Sequence, residues 1–520
     1  MNFSFATGDA TRTRADALVI PLFDNELSEK KKQPAALAAA EKKLKGTLLK
    51  IAAQEGFRAK GEQTLVVHTQ GKLPAARVIL VGLGARARFQ SEVLRLAAGR
   101  AIKTANRLRC KNIVVALPVV REVENCVRAV VEGLELGAYK FDKWRTTNKD
   151  EKNAPRVEKV VLQLPDGQKK SPSLEGAAAM AVALSSATNW ARDLVNEPAG
   201  ALNPTTLTQE AVAMAKAAGL GIEVLERKDI EKLKMGMFLG VTQGSVEPPK
   251  LVHLRYVPKD EADARRAPLC FVGKAITFDS GGLSLKTAEG MVDMKTDMAG
   301  SAAMLGAMKV IAAMKPPFPV HGFYGACENM PSGTAYRPGD ILVSRLGKTV
   351  EITNPAAEGR LVLGDVLAYA AELKPALMVD LATLTGACMI ALGNYVAGVF
   401  GDDDQAVWNV LEAARNAGEE AWRMPVTDLQ KDALRSDVAD MKNSGERWGG
   451  AINAALFLKE FVGQTPWVHI DIAGPSQSPK ERGYYAKGGT GYGVRTLVEL
   501  VRRRTGELDA AEHAASGDGA

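Results

Sequence analysis

Residues 271–286 read FVGKAITFDSGGLSLK, an apolar run that opens into a carboxylate and two glycines. The apolar part predicts a buried β-strand over residues 269–277, and Asp279 with the glycines predicts an open corner at its end. Comparable strand-like runs alternate with helical patterns along the chain, which is typical of a mostly parallel sheet covered by helices on both faces. Ligands of such sheets bind outside the carboxyl ends of the strands. Asp279 is therefore expected within reach of a ligand.

The alternation predicts α/β structure in two domains. Strands are predicted over residues 17–23, 64–68, 77–82, 112–116, 159–164, 221–225, 251–256, 321–326, 377–381 and 467–472. Helices are predicted over residues 35–54, 92–107, 123–138, 174–195, 206–217, 300–314, 362–372 and 451–461. The turn-rich segment 165–172, PDGQKKSP, has no apolar face and separates the two halves. We predict a smaller N-terminal α/β domain over 1–165, a linker over 166–174, a larger domain over 175–505 and a frayed tail over 506–520.

Composition excludes several classes of protein. The chain has 520 residues, of which 46% are hydrophobic and 24% charged, the balance of a soluble globular protein rather than a disordered or fibrous one. The five cysteines are odd in number and form no CxxC pair, so we expect free thiols in a reduced cytoplasm. The net charge of +7 is modest, and the basic runs at 30–32 and 502–504 are typical of solvated surface or helix ends.

Two further segments bear on localisation. The N-terminus lacks a basic region followed by an apolar one, so a secretory signal is not expected. Residues 381–401, LATLTGACMIALGNYVAGVFG, carry no charge and are long enough to span a bilayer. Their threonines, asparagine and four glycines favour a buried strand, a turn and a second strand instead. We therefore expect a cytoplasmic protein with no membrane partner.

Three elements of the sequence combine carboxylates with basic side chains. Lys274 and Asp279 lie in the opening stretch, Asp297 begins a predicted helix, and Glu358 and Arg360 stand two residues apart between a strand and a helix. Each element has a plainer interpretation: a surface lysine, a helix N-cap and a surface ion pair, respectively. Together the three elements favour a carboxylate-lined site for hard divalent cations, with positive charge supplied by lysine and arginine.

Eight ordered blocks of sequence read like one known family: ARDLVNEPAGALNPTTL, VGKAITFDSGGLSLK, MKTDMAGSAAML, ENMPSGTAYRPGD, AAEGRLVLGD, DLATLTGA, ADMKNSGERWGGAINAALFL and WVHIDIAGP. Over about residues 174–501 the chain resembles the leucine aminopeptidase (cytosol aminopeptidase) family of dinuclear metallopeptidases. The resemblance implies a metal-dependent aminopeptidase that releases N-terminal amino acids, preferentially leucine and other apolar residues, from peptides. It also implies a smaller N-terminal α/β (macro-like) domain before the larger catalytic domain, which the first 165 residues fit by length and pattern.

The resemblance implies a set of metal ligands in this chain. Two divalent cations, Mn²⁺ or Zn²⁺, are expected on Lys274, Asp279, Asp297 and Glu358, with Asp279 and Glu358 bridging both. Lys274 must bind through a neutral amine, which burial and an adjacent cation can enforce. Such a pair of cations activates a water for hydrolysis. Because the free α-amine of the peptide also binds one cation, hydrolysis is restricted to the N-terminal residue.

The resemblance likewise implies the residues that act on the substrate. Lys286 is expected to polarise the scissile carbonyl and stabilise the oxyanion. Arg360 is expected to hold a bicarbonate ion that serves as general base. Met294, Thr383 and Gly386 are expected to line the pocket for the N-terminal side chain.

One block departs from the family where a metal ligand is expected. The usual text is Asn-Thr-Asp-Ala-Glu-Gly-Arg-Leu, whereas residues 354–361 read NPAAEGRL. Pro355 replaces the threonine, and Ala356 replaces an aspartate that binds the more exchangeable cation. Ala356 can offer only its backbone carbonyl, and Pro355 fixes φ and removes an N–H. One cation position therefore keeps its full ligand set, and we expect the other to be weakened.

Three interpretations of function follow from these observations. The first is an active aminopeptidase, supported by Lys286 and Arg360. The second is a catalytically impaired family member with an assembly or regulatory role, supported by Ala356. The third is a DNA-binding role, which some bacterial relatives have and which here rests on the charge of +7 and the basic runs. A homohexamer with its sites facing an interior cavity is expected from the resemblance.

Overall fold

The computed structural model describes residues 1–147 and 149–517. Met1–Ser186 and Lys480–Ala486 form one unit, and Ala187–Pro479 with the chain from Lys487 onward form a second. The border lies inside a single helix, Pro172–Asn196. The predicted linker over 166–174 is therefore wrong from residue 172 onward, because proline is well suited to the first turn of a helix.

The first unit is built on a six-stranded sheet. Its strands are β1 (Asn2–Ala6), β2 (Ala15–Phe23), β3 (Thr64–His68), β4 (Ala75–Gly84), β5 (Asn112–Ala116) and β6 (Lys159–Gln163). Its helices are α1 (Asn25–Ser28), α2 (Ala35–Lys43), α3 (Thr47–Gln54), α4 (Ser91–Arg107), α5 (Val123–Gly137) and α6 (Lys149–Lys152). The order is β1-β6-β5-β2-β4-β3, and neighbouring strands are parallel except for β3 with β4.

Alternating side chains of this sheet supply two apolar cores. Val19 and Val115 pack in the core that includes α4 and α5, whereas Leu18 and Val114 pack in the core that includes α2 and α3. The unit is thus a three-layer α/β structure, because successive side chains of a strand point to opposite faces. The single helix predicted over 35–54 is wrong. It is two helices, since Lys45 and the glycine that follows both adopt positive φ.

The second unit is built on a nine-stranded sheet with smaller sheets beside it. Its strands are β7 (Gly221–Leu225), β8 (Lys250–Tyr256), β9 (Leu269–Gly273), β10 (Ala275–Asp279), β11 (Val320–Asn329), β12 (Ile341–Val343), β13 (Thr349–Glu351), β14 (Leu377–Ala382), β15 (Ala397–Phe400), β16 (Ala421–Arg423), β17 (Met441–Lys442), β18 (Trp467–Asp471), β19 (Gln477–Ser478) and β20 (Gly488–Gly489). The main sheet has the order β16-β15-β18-β14-β9-β11-β8-β7, with β10 also on β11. Its central strands are parallel, and β15–β18, β11–β8 and β8–β7 are antiparallel.

Helices cover this sheet, which confirms the predicted fold class. They are α7 (Pro172–Asn196), shared with the first unit, α8 (Pro204–Ala218), α9 (Arg227–Lys232), α10 (Gly236–Thr242), α11 (Glu261–Ala264), α12 (Ala288–Met291), α13 (Ala299–Met314), α14 (Gly359–Ala371), α15 (Gly386–Leu392), α16 (Asp404–Ala417), α17 (Gly450–Lys459) and α18 (Val494–Gly517). Both α13 and α14 pack against the central strand β9. The apolar side chains of α10, α14 and α17 form one continuous core with the sheet.

The strand predicted over 269–277 is interrupted at Lys274. Its backbone N–H donates to Leu381 O at 2.9 Å, and its carbonyl accepts from Ser301 N at 2.9 Å. Gly300 permits this close approach, because a Cβ there would lie 2.0 Å from Leu381 O. The prediction of one strand is therefore wrong. At the break between β9 and β10 the Lys274 carbonyl is bonded to Ser301 N, at the start of α13, and not to a neighbouring strand.

The structure bears on three other predictions, which concern residues 381–401, the C-terminal tail and the cysteines. Residues 381–401 form β14, the short helix α15 and β15, not two strands and a turn, because Thr385 caps α15 by accepting from Cys388 N at 3.0 Å. The predicted frayed tail is helical through Gly517, in an alanine-rich segment with high helix propensity. All five cysteines are free, as predicted, and all five are buried. One stretch, Ala288–Met314, has the length and composition of a membrane span, and 78% of its apolar window is buried inside the protein.

Candidate functional site

A cavity of about 560 Å³ opens in the second unit at the carboxyl ends of β10, β14 and β18. This is the edge of the sheet where ligands of open α/β folds bind. Every site residue predicted from the sequence lines it, namely Lys274, Asp279, Lys286, Met294, Asp297, Ala356, Glu358, Arg360, Thr383 and Gly386.

Lys274 lies at the centre of the predicted ligands. Its side chain is 4% exposed, so the surface-lysine interpretation is wrong. The Nζ lies 2.8 Å from Asp297 Oδ1 and 3.0 Å from Glu358 Oε1, and it donates to Thr383 O at 3.1 Å. A Cβ on Gly359 would lie 2.3 Å from Lys274 Cε, so a glycine is required beside the lysine side chain.

The charges around Lys274 determine its protonation. Burial alone would lower the pKa of Lys274, but Asp297, Glu358 and Asp279 outweigh burial and raise it. As long as no cation is bound beside it, the lysine is therefore protonated. The expected neutral amine therefore depends on the adjacent cation as well as on burial, because coordination to a metal requires that the cation displace the proton.

Asp297 is oriented into the site and not along a helix axis. The N-cap position of α13 is Met298, so the N-cap interpretation of Asp297 is wrong. Asp297 Oδ1 accepts from Thr383 Oγ1 at 2.7 Å, while the buried Oδ2 has no hydrogen-bond partner among the described residues. A buried carboxylate oxygen without a partner is costly, and a cation would relieve that cost.

Three carboxylates converge at this point. Oxygen atoms of Asp279, Asp297 and Glu358 all lie within 4.8 Å of one another, and all three residues are buried. Burial, followed by the negative charge of Asp279, raises the pKa of Glu358 to about 8. Burial also raises the pKa of Asp297. Since oxygen ligands of this density and charge suit hard divalent cations, the residues present fit a metal site.

Asp279 connects the carboxylates to Lys286. Asp279 Oδ1 accepts from Gly281 N and Asn329 Nδ2, each at 2.8 Å, which fixes the orientation of the carboxylate at the end of β10. Asp279 Oδ2 accepts from Lys286 Nζ. The same Nζ lies 2.9 Å from Met294 Sδ, so Lys286 projects over the cavity between the carboxylates and the predicted side-chain pocket.

The loop before α14 supplies Glu358 and contains the departure from the family. Glu358 occupies the N-cap position of α14, but its side chain makes no capping hydrogen bond and remains available to the site. Ala356 is half-buried and lines the cavity with a methyl group where the resemblance implies a carboxylate. The backbone here is held firmly, since Ala356 N donates to Asn354 Oδ1 at 3.0 Å and Pro355 O accepts from Tyr336 at 2.6 Å.

Arg360 is buried beneath the same loop. Its Nη1 donates to Asn443 O at 2.9 Å, and its buried Nε has no partner among the described residues. Burial, opposed by Glu358, lowers the pKa of Arg360 to about 10, so the side chain is a cation at neutral pH. Glu358 is bonded to Lys274 instead, so the surface ion-pair interpretation is wrong. Arg360 thus has donor capacity for an anion.

Sequence reasoning missed two asparagines that shape the site. Asn329 Nδ2 donates both to Asp279 and to Pro355 O, at 2.8 and 3.0 Å. Asn443 Oδ1 accepts from the backbone of Thr353 at 2.9 Å, which anchors the loop that carries Ala356. Both asparagines lie within the blocks ENMPSGTAYRPGD and ADMKNSGERWGGAINAALFL, and this was the available signal.

Comparison with known proteins agrees with this geometry. The description "Cytosol aminopeptidase family, catalytic domain" matches residues 189–498, and "Cytosol aminopeptidase family, N-terminal domain" matches residues 19–148. A probable cytosol aminopeptidase of Alkaliphilus oremlandii is 43% identical over 94% of this chain and 96% of its own length. A second, of Gloeobacter violaceus, is 42% identical over 96% of this chain and 99% of its own length.

Solved structures show the same relationship. A mutant of tomato leucine aminopeptidase aligns with a TM-score of 0.86 at 34% identity, over 97% of this chain and 96% of its own. The bottromycin maturation enzyme BotP in complex with Mn aligns with a TM-score of 0.82 at 34% identity, over 94% of this chain and 100% of its own. These matches confirm the resemblance drawn from the sequence blocks, and the chain therefore belongs to the cytosol aminopeptidase family of metal-dependent aminopeptidases.

Proposed function

We propose that the chain removes N-terminal amino acids from peptides, with a preference for leucine and other apolar residues, and binds two divalent cations, Mn²⁺ or Zn²⁺. The observation that carries this proposal is the convergence of Asp279, Asp297 and Glu358 within 4.8 Å around a buried lysine. Asp297 Oδ2 in the same cluster, which has no hydrogen-bond partner in the described part of the chain, also supports a cation. The complete set of ligands is Lys274, Asp279, Asp297 and Glu358 for one cation, and the two shared carboxylates with a carbonyl of Ala356 for the other.

The chain's own residues divide the work of hydrolysis. When bound, the two cations supply Lewis acidity and lower the pKa of water. Lys286, held over the cavity, donates a hydrogen bond to the oxyanion that develops on the scissile carbonyl. Thr383 orients Asp297 through its hydroxyl and Lys274 through its carbonyl. Arg360, whose Nε has no partner among the described residues, would hold a bicarbonate ion, and such an ion would supply the general base.

The lining of the cavity supports a preference for apolar side chains. Besides Met294, the lining includes Leu384, Met389, Ala473 and Pro479. Methionine and leucine side chains offer contact area to an aliphatic group and no hydrogen bond to a charged one. The restriction to N-terminal residues comes from the α-amine, which is the only amine of an ordinary peptide adjacent to its scissile carbonyl.

Ala356 favours a second candidate function. Because Ala356 offers no carboxylate, the cation without Asp297 and Lys274 retains only the two shared carboxylates and the backbone carbonyl of Ala356. An impaired family member with an assembly or regulatory role would retain the fold and the first cation and lose turnover. The metal requirement of hydrolysis separates the two candidates.

Assembly and DNA binding are further proposals that differ in their support. We propose a cytoplasmic homohexamer, for which large exposed apolar side chains such as Ile390 and Leu429, each about 90% exposed, offer contact surface. DNA binding has less support. Arg502 pairs with Glu499 at 2.6 Å, and Arg503 stacks on Trp408 at 5.1 Å, so the basic run at 502–504 is engaged within its own unit.

Hydrolysis of Leu-p-nitroanilide with added Mn²⁺ or Zn²⁺ tests the proposal. We expect release of nitroaniline that depends on metal, that is lost in Asp297→Asn, and that falls for an aspartyl substrate. Retention of one cation per subunit without hydrolysis of any aminoacyl substrate would instead establish the impaired candidate. Light scattering at the mass of a 55.4 kDa monomer would refute the hexamer. If the chain causes no mobility shift of DNA even at low salt, where binding to phosphates is strongest, the DNA-binding role is excluded.

A further inference from the structure

The carboxylate of Asp471 joins two loops at the ends of neighbouring strands. Asp471 is the last residue of β18, is fully buried, and lies opposite Ala382, the last residue of β14. Its Oδ1 accepts from Leu384 N at 3.2 Å and from Ala473 N at 3.1 Å. Its Oδ2 accepts from Thr385 Oγ1 at 2.7 Å. One side chain thus holds the turn after β14 and the turn after β18 together.

The turn after β14 also holds two of the proposed metal ligands. Thr383 is its first residue, immediately before the two residues that Asp471 binds. The Thr383 hydroxyl donates to Asp297 Oδ1 at 2.7 Å, and the Thr383 carbonyl accepts from Lys274 Nζ at 3.1 Å. A shift of this turn would therefore move a hydroxyl and a carbonyl that together orient the carboxylate and the amine.

We propose that Asp471 is a positioning residue for the metal site, acting through the turn that carries Thr383. Asp471 itself touches neither Lys274 nor Asp297 by any hydrogen bond in the described chain, so its effect is indirect. The proposal rests on the proposed metal roles of Lys274 and Asp297. It adds a residue to the active machinery that lies behind the cavity wall and does not line the cavity.

The chemistry of the three donors determines which substitutions are informative. Asp471→Ala removes all three acceptor contacts. Asp471→Asn keeps an oxygen for the two backbone N–H groups, and its amide can donate to the Thr385 hydroxyl, which both donates and accepts. Asn is therefore the conservative variant, and it should restore most of what Ala removes. Thr385→Val removes the hydrogen bond from the hydroxyl to Asp471, and with it the cap that the same oxygen gives α15 by accepting from Cys388 N.

Asp365 provides a matched control in the same unit. It is also fully buried, and its carboxylate also binds backbone N–H groups of separate segments, Phe238 N at 3.0 Å and Arg345 N at 2.7 Å. It lies in α14 but does not line the cavity. Asp365→Ala should therefore reproduce the loss of stability caused by removing a buried carboxylate, without acting on the metal site.

The test is a titration of the full chain with Mn²⁺, in which the electron paramagnetic resonance signal of free aqueous Mn²⁺ measures how much metal is unbound. Loss of a group that orients metal ligands typically weakens metal affinity by about 10–100-fold. We expect that loss in Asp471→Ala, a change within about threefold in Asp471→Asn, and none in Asp365→Ala. Hydrolysis of Leu-p-nitroanilide at saturating metal should show a lower kcat with KM little changed.

Each outcome is decisive. If Asp471→Ala binds Mn²⁺ as tightly as the unaltered chain, or no more weakly than Asp365→Ala, the inference is overturned while the metal site stands. If the unaltered chain binds no Mn²⁺, the proposed roles of Lys274 and Asp297 fail, and the inference fails with them. If Asp471→Ala does not fold, Thr385→Val replaces it, and unchanged affinity in that variant would overturn the inference.

Discussion

Restoring the missing carboxylate at Ala356 is expected to give the chain a second tightly bound cation. The change is Ala356→Asp together with Pro355→Thr, which returns the loop to the family pattern. Ala356 already lines the cavity, and its N–H is held by Asn354 Oδ1 at 3.0 Å. The preceding carbonyl is held by Asn329 Nδ2 at 3.0 Å. Because both polar groups of the peptide bond between Pro355 and Ala356 are hydrogen-bonded, a new carboxylate should project from a defined position.

The magnitude follows from the charges in the cavity. Asp279, Asp297 and Glu358 supply three negative charges, whereas two divalent cations bring four positive ones. A fourth carboxylate balances them. Two unit charges 4 Å apart at a partly exposed site attract by about 4 kcal/mol, and dehydration of both partners offsets a large part of that. Groups that merely orient ligands change metal affinity about 10–100-fold, so we expect at least this gain, about 1.4–2.7 kcal/mol.

The assay is metal content after dialysis combined with activity as a function of free Mn²⁺. The unaltered chain should retain one ion per subunit and require high free metal, and the double variant should retain two and be saturated at lower metal. Pro355→Thr alone is the control, since it changes the loop without adding a ligand and should behave like the unaltered chain. Two tightly held ions per subunit in the unaltered chain, with full activity at low free metal, would refute the reasoning.

Three other predictions follow from single side chains. Lys286→Ala should lower kcat about 10²–10³-fold with little change in substrate affinity, because it removes one oxyanion donor; an unchanged kcat would sink the assignment. Burial lowers the pKa of His253 to about 3, so the folded chain resists a proton that the unfolded chain takes up below about pH 6.5. The free energy of unfolding should therefore decrease as the pH decreases below that value. In urea unfolding, His253→Gln should lose about 1–2 kcal/mol less than the unaltered chain between pH 7 and pH 5; equal losses would contradict this. Gly359→Ala should displace Lys274 and lower kcat about 10²-fold, whereas Gly333→Ala, where a Cβ meets nothing within 4 Å, should leave kcat unchanged.

Local patterns in the sequence were sufficient for most elements. Residues 64–68, 112–116 and 221–225 were predicted as strands and form β3, β5 and β7 with the same bounds. Short apolar runs with β-branched residues between turn signals suit few other structures. Two breaks were missed. The glycine that follows Lys45 was a local signal for the end of α2. The interruption at Lys274 depends on hydrogen bonds with Leu381 and Ser301, which a local pattern does not contain.

The sequence also determined which residues bear the chemistry. The blocks around Lys274, Asp297 and Glu358 named every predicted ligand, and all of them line one cavity. From the sequence alone, each plainer alternative could be judged only by how common that role is for the residue type, because a lone aspartate before a helix resembles an N-cap wherever it occurs. The position of Met298 as the N-cap of α13, and an Asp297 Oδ2 without a partner among the residues that the structure describes, decided against that alternative. Both are properties of the assembled fold.

The tertiary structure alone decided how these groups act on one another. Lys274, Asp297 and Glu358 are up to 84 positions apart in sequence, yet the Lys274 amine lies within hydrogen-bond distance of both carboxylates. The pKa of Lys274 depends on that proximity and on burial. The proposed role of Asp471, which joins two turns, could likewise not be predicted from the block WVHIDIAGP, because there it is only a polar residue at the end of a strand. Sequence carries the identity of each group, but the energy of a charge depends on distance and local dielectric, and only the folded chain sets those.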